Sequence, residues 1–277
     1  AAAGFLCALK KGGAALDVKW YRYDTIDSTS SEARRLLQSG ALYREEPTAS
    51  AEAEETETAE ATLPAEQEEA VSPRTFLRLA FRNIDPRAGK TGIYMSIVVD
   101  FPQEASSAAL LTIRAGVAVS DAIREETGIE TGIKWVNDIF LDGRKVCGIL
   151  TESVLQEGKR RAILGIGINV TTESFPPELR STAGALGLLG AERMDSLPAA
   201  VLTHILRRIS DGDDRDVLEE YKKRSVVLDR IVSYERDGIA YEGRAADIDA
   251  DGALIVELGD GTFDLLQSGE ISLKTWK

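Results

Sequence analysis

Residues 134–152 read KWVNDIFLDGRKVCGILTE, and their pattern decides how the rest of the chain is read. Two runs rich in β-forming residues flank Asp142-Gly143, a dipeptide that tolerates the positive φ angles of a type I′ hairpin turn. Alternation along the second run puts Lys145, Cys147, Ile149 and Thr151 on one face and Val146, Gly148, Leu150 and Glu152 on the other. A lysine facing the same way as Ile149 is oddly placed for a solubilising charge. An edge-strand lysine that guards against aggregation is the alternative.

Outward from this hairpin the elements follow in order. Upstream, Leu110, Ile113 and Val117 recur at helical spacing, with Gly128 as a stop, and residues 92–100 (GIYMSIVVD) read as a buried strand. Downstream, Gln156-Glu157-Gly158-Lys159 turns the chain into residues 161–170, RAILGIGINV. Gly165 and Gly167 there let a backbone or a ligand come close, although tight sheet packing explains a lone G-x-G equally well. Residues 196–209 predict a helix with Val201, Leu202, Ile205, Leu206 and Ile209 facing inward and His204, the single histidine, on its less apolar side. Helix continues over 217–224. From Val226 onward, short runs separated by Asp237-Gly238, Asp251-Gly252 and Asp260-Gly261 predict a small antiparallel barrel of about five strands. Near the other end, residues 17–26 alternate as a strand. Thr29-Ser30-Ser31-Glu32 then fits a capping box, and Ala33, Leu36 and Leu37 form one helical stripe ending at Gly40. On spacing alone, Ser28, Thr29 and Ser30 are a helix cap.

Composition narrows the class. A chain of 277 residues, 43% hydrophobic, is long enough for one large domain and a small one. Its net charge of −13 argues against a nucleic-acid surface, but residues 45–69 hold ten glutamates and no lysine or arginine, and without them the balance is −3. Residues 43–75 lack hydrophobic periodicity and read as a disordered insertion, and residues 1–16 as a flexible leader. Cys7 and Cys147 form no disulfide framework, so reduced thiols and a cytoplasmic setting are expected. No apolar run approaches the length of a membrane span.

The 134–152 stretch resembles the central motif of biotin protein ligases, which typically reads KWPND, a turn, then a lysine before G-I-L-x-E. Residues 161–170 resemble the same family's next strand with its G-x-G-I-N ending, residues 23–33 (YDTIDSTSSEA) its D-S-T-N entry motif, and Ser268 to Leu273 its closing phrase. The resemblance implies an α+β fold like that of class II aminoacyl-tRNA synthetases: a catalytic domain over 17–224, then an SH3-like barrel over 225–277. It implies ATP-dependent biotinylation of a lysine on a biotin carboxyl carrier domain through biotinyl-adenylate, with Mg²⁺ held largely by phosphate oxygens and water. By the same resemblance Lys145 and Lys134 are catalytic. Ser28, Thr29, Ser30, Lys145 and Gly148 bind biotin, and Lys134, Asn137, Asp138, Gly165, Gly167 and Asn169 bind the nucleotide. Trp135 is expected in the core, and no metal-ligand set is expected. No winged-helix segment precedes the motifs, so the expected form is monofunctional, without DNA binding; a homodimer is compatible with it. The sequence departs from the family in one place. The glutamine and G-R-G-R-x-x-R loop that wrap the biotin carboxylate and the adenylate phosphate have no counterpart in residues 40–90, where Arg74, Arg78, Arg82 and Arg87 lack the glycine setting. Two alternatives therefore stand: a homologue that binds ligand or carrier without turnover, and a lipoate- or octanoate-type acyl ligase.

Overall fold

Alternating residues and glycine turns build an eight-stranded sheet. The computed structural model describes residues 3–11, 14–23, 29–38, 77–85, 90–100, 108–156, 158–171, 175–187, 191–211 and 213–273. The strands are β1 (Ala3–Lys11), β2 (Ala14–Tyr23), β3 (Leu77–Asp85), β4 (Lys90–Asp100), β5 (Gly132–Lys134), β6 (Asp138–Leu141), β7 (Arg144–Gln156) and β8 (Lys159–Asn169). They lie in the order β1-β2-β3-β4-β8-β7-β6-β5. Only β2 and β3 pair in parallel. The Asp142-Gly143 turn has both φ angles positive, at 49° and 74°, as the dipeptide predicts.

The two faces of the central strands differ in what they carry. On one, Met95 and Ile97 of β4, Leu164 and Ile166 of β8, and Cys147 and Ile149 of β7 are buried in the main core. Helix α2 (Ala108–Thr127) belongs to that core, with α3 (Ala191–Asp211) and α4 (Asp214–Arg224) packed on it. The opposite face runs in rows. Val98, Ile163 and Glu152 form one row, Ser96, Gly165 and Leu150 the next, and Tyr94, Gly167, Gly148 and Asp138 the third. Helix α1 (Thr29–Gln38) packs against β4, β7 and β8, with Ala33 and Leu36 buried and Arg34 paired to Glu152. In these rows Gly165, Gly167 and Gly148 put no side chain of their own on this face and so leave room over the sheet.

The small C-terminal domain has β9 (Ile231–Arg236), β10 (Ile239–Ile248), β11 (Leu254–Leu258), β12 (Phe263–Leu266) and β13 (Ile271–Leu273), all antiparallel, in the order β12-β11-β10-β9-β13. It is the small five-stranded antiparallel unit expected from the Asp-Gly spacing, and it is consistent with the SH3-like barrel that the resemblance implies.

Two elements depart from the sequence reading. Residues 1–16 were expected to form a flexible leader, but they contain β1, which pairs with β2 from Lys11↔Ala14 to Ala3↔Arg22. The two residues between the strands are Gly12-Gly13, a hairpin signal in their own right. Residues 77–85, assigned no element, supply β3. Ser28 and the whole of the 43–75 insertion lie outside the described residues. Among the described residues no helix is long and apolar enough to cross a membrane.

Candidate active site

The furrow over the glycines opens into two adjoining cavities. The smaller, about 320 Å³, runs from Ser30 past Gly165, Leu150 and Asn137 to Lys145. The larger, about 600 Å³, continues from Lys145 past Asp138, Lys134 and Asn169 to the 175–183 loop and the barrel residues Ser272 and Leu273. Both volumes suit small-molecule ligands, whose clefts span roughly 300–1,000 Å³. The two share Tyr94, Lys145, Gly148 and Gly167. Lys145 therefore stands at the junction.

A bulge puts it there. Phe140 pairs with Lys145 but Ile139 with Cys147, so Val146 is an extra residue in β7 and the alternation breaks. This corrects the sequence reading, which had Lys145 facing with Cys147 and Ile149. Val146 and Cys147 are both buried, while Lys145 turns to the Gly148 side. Gly148 makes room for it: a Cβ there would lie 3.0 Å from Lys145 Cε. The Lys145 backbone also clips the loop, donating N–H to Thr182 O at 2.8 Å and accepting from Gly184 N at 2.9 Å.

Lys145 Nζ lies 2.6 Å from Asp138 Oδ1. That oxygen is enclosed and accepts no well-aligned hydrogen bond, so the ammonium is its close partner as an ion pair. Lys134 sits across from Asp138 in the β5–β6 pairing, with Nζ 5.8 Å from the centre of the Phe140 ring. Burial lowers the Lys134 pKa; Lys145 adds to that effect and Asp138 opposes it. Glu270 also acts on Lys134 from outside the cavity wall, so within the lining two ammonium groups face one carboxylate.

The other predicted residues divide between the cavities. Asp138, Asn169 and Lys134 line the larger one and Gly167 both, whereas Gly165 and Asn137, expected with them at the nucleotide, line the smaller one beside Ser30. Asn137 is held structurally: its Nδ2 donates to Ile149 O at 2.8 Å and its carbonyl accepts from Ile149 N at 2.9 Å. Asn169 Nδ2 donates to Gly184 O at 3.0 Å, so it anchors the loop. The Thr29 side chain, like Ser28, lies outside the described residues. Trp135 is buried as expected, and Cys147, also buried, has its thiol pKa pushed up by that burial. Sequence reasoning missed Tyr94, Ser96 and Leu150, although each is the cross-strand neighbour of a glycine it had singled out. Among the described residues no group of three or more His, Cys, Asp or Glu side chains forms a metal cage. Among the described residues, Asp138 is the one carboxylate lining the larger cavity.

A glycine-floored furrow with an ammonium at the junction of two cavities is a cleft that suits a small anionic ligand. In agreement, the model of the biotin/lipoate A/B protein ligase family matches residues 88–169. Beyond it, the model of the biotin protein ligase C-terminal domain matches residues 227–274. The chain is 42% identical over 120 residues to the bifunctional ligase/repressor BirA of Bacillus subtilis, covering 42% of this chain and 36% of that protein. It is 31% identical over 182 residues to the biotin–[acetyl-CoA-carboxylase] ligase of Mycobacterium tuberculosis, covering 63% of this chain and 65% of the relative. The chain thus spans between about a third and two thirds of the length of these relatives. The crystal structure of the biotin protein ligase from Aquifex aeolicus superposes with a TM-score of 0.59 at 25% identity, over 71% of this chain and 87% of that one. The same Aquifex protein has been solved in complex with biotin and ATP, with a TM-score of 0.61 at 20% identity over 92% and 98% of the two chains.

Proposed function

We propose that this chain joins biotin to a lysine of a biotin carboxyl carrier domain, using ATP and passing through biotinyl-adenylate. The observation that carries the reading is the pair of cavities meeting at Lys145. Biotin lies in the smaller one, ring toward Ser30 and carboxylate toward Lys145, and ATP lies in the larger. A carboxylate oxygen attacks the α-phosphorus, the bond to pyrophosphate breaks, and charge builds on the α-phosphoryl oxygens. A preorganised cation aimed at those oxygens lowers the barrier most. Lys145 fills that role, with Asp138 orienting its ammonium and Lys134 supplying a second positive charge. The ε-amine of the carrier lysine, once deprotonated, then attacks the acyl carbon and AMP leaves. Because the family's glycine–arginine run has no counterpart in the sequence, these two lysines carry much of the anion binding.

The test is biotin-dependent exchange of pyrophosphate into ATP, followed by transfer of labelled biotin to a carrier domain. Lys145→Ala is expected to lower adenylate formation by about 10²–10³-fold, the scale for removing one oxyanion-stabilising group. A folded wild-type chain that forms no adenylate at saturating biotin and ATP would refute the enzyme reading and leave a homologue that binds without turnover.

A further inference from the structure

The row beyond the glycine furrow holds a polar pair among apolar neighbours. Ser96 on β4 and Leu150 on β7 both sit opposite Gly165 on β8, and Ser30 at the start of α1 lies above them. Ser30 Oγ and Ser96 Oγ are 3.1 Å apart. Ser96 is fully buried, between the core-side strand residues and the Val98–Ile163 row that α1 covers. A Cβ on residue 165 would come within 2.5 Å of Ser30 Oγ, so the seat of that hydroxyl exists because residue 165 is glycine. A serine hydroxyl has one donor and two acceptor sites, and Ser96 takes only one of those on Ser30. The rest of Ser30 faces the smaller cavity, at the end away from Lys145.

Resting on the ligase reading above, we propose that Ser96 and Gly165 are positioning residues that hold the Ser30 hydroxyl at the far end of the acid pocket, where it selects an acid with a hydrogen-bonding head group over an alkyl acid. The reason is asymmetric. A pocket end carrying a buried, oriented hydroxyl gains a bond from a ureido head and is left with an unmatched polar group by a plain alkyl chain. Leu150 and Ile166 line the same cavity and would favour either acid equally.

The experiment compares biotin with octanoate in pyrophosphate exchange, for wild type, Ser30→Ala, Ser96→Ala, Ser96→Thr and Gly165→Ala, alongside calorimetric binding of biotin alone. Ser30→Ala and Ser96→Ala are expected to raise the KM for biotin about tenfold, the scale of one neutral hydrogen bond, while the KM for octanoate stays level or falls as its unmatched hydroxyl is removed or released. Ser96→Thr keeps a hydroxyl and is expected to restore most of the preference. Gly165→Ala, which drives Ser30 off its seat, is expected to weaken biotin at least as much as Ser30→Ala. Equal losses for both acids in Ser96→Ala, or biotin affinity identical in all variants, would overturn the proposal. A chain that forms no adenylate but binds biotin, more weakly in Ser96→Ala than in Ser96→Thr, would refute the ligase reading and keep the pocket assignment. A chain that binds no biotin overturns both.

Discussion

Lys134 shows how a single side chain here trades stability for charge. Burial disfavours its ammonium, Lys145 adds repulsion, and Asp138 compensates only in part, so its folded pKa lies below the ordinary lysine value. Between that depressed value and the ordinary one the unfolded chain binds the proton and the folded chain does not, so stability rises with pH across the window. Below the folded value both states hold the proton, and the penalty of burying the charge is present in full. Lys134→Met is therefore expected to raise the melting temperature at pH 7 while lowering pyrophosphate exchange about ten- to a hundredfold, the worth of one charge-assisted hydrogen bond. Calorimetry and exchange on the same preparation check both halves; a lower melting temperature would show that the Asp138 attraction outweighs burial. At this scale the sequence was half legible. The motif wording identified Lys134, Asp138 and Lys145, but period-2 alternation aimed Lys145 into the core. One inserted residue, Val146, reverses that aim, and no local pattern in Arg144-Lys145-Val146-Cys147 announces it.

The helices are held by charges that no local pattern reveals. Asp121 on α2 is buried and receives Arg208 of α3 at 2.7 Å and Arg224 of α4 at 2.8 Å, with Arg124 at 3.2 Å. Burial alone would raise the Asp121 pKa, but the two distant arginines outweigh it and hold it below the usual carboxylate range. Arg208 lies 87 residues further along the chain. Such a pairing exists only once the helices have packed. Breaking a buried pair leaves the partner uncompensated, so Asp121→Asn is expected to lower unfolding free energy by about 3 kcal/mol in urea titration. The sign with pH follows from the depressed pKa: this stability is present above about pH 4 and is lost as pH falls through the folded value. The variant should accordingly show a flatter loss of stability on acidification than the wild type. A change under about 0.5 kcal/mol would mark Asp121 as an ordinary surface-like site. Element by element, the helices over 108–127 and 191–211, the central hairpin and the barrel were all legible, because periodicity and Asp-Gly or Gln-Glu-Gly turns are local signals. The β1–β2 hairpin was legible too, in Gly12-Gly13, but the composition of the first residues drew attention away from it.

The whole molecule depends on how the barrel seats against the catalytic sheet. Two differing textures in the sequence foretold two parts, and nothing in either foretold the joint. Trp135, from the motif itself, donates Nε1–H to Gly252 O across 3.0 Å, Val226 N bonds Ile133 O at 2.9 Å, and Lys222 pairs with Asp247 at 2.7 Å. The barrel's Val232, Leu254 and Ile271 share one continuous core with α2 and the sheet. Gly252 is one tight point of that contact. Its φ is +84°, and a Cβ there would press within 2.8 Å of Ile113 Cδ1 and 3.3 Å of Ala109 Cβ on α2. A side chain at 252 must therefore strain the turn and push the barrel off the helix, an overpacking cost of about 1–3 kcal/mol. The consequence for function is one-sided. Ser272 and Leu273 of β13 line the larger cavity, and among the described residues no barrel residue lines the smaller. Gly252→Ala is expected to raise the KM for ATP by roughly tenfold or more, the effect of a small displacement in a positioned site, while biotin binding measured by calorimetry stays at the wild-type value. Biotin affinity that falls in step with ATP would mean that the barrel supports the sheet as a whole. An unchanged KM for ATP, with tryptophan fluorescence showing Trp135 displaced, would mean that the barrel wall contributes nothing to the nucleotide cavity.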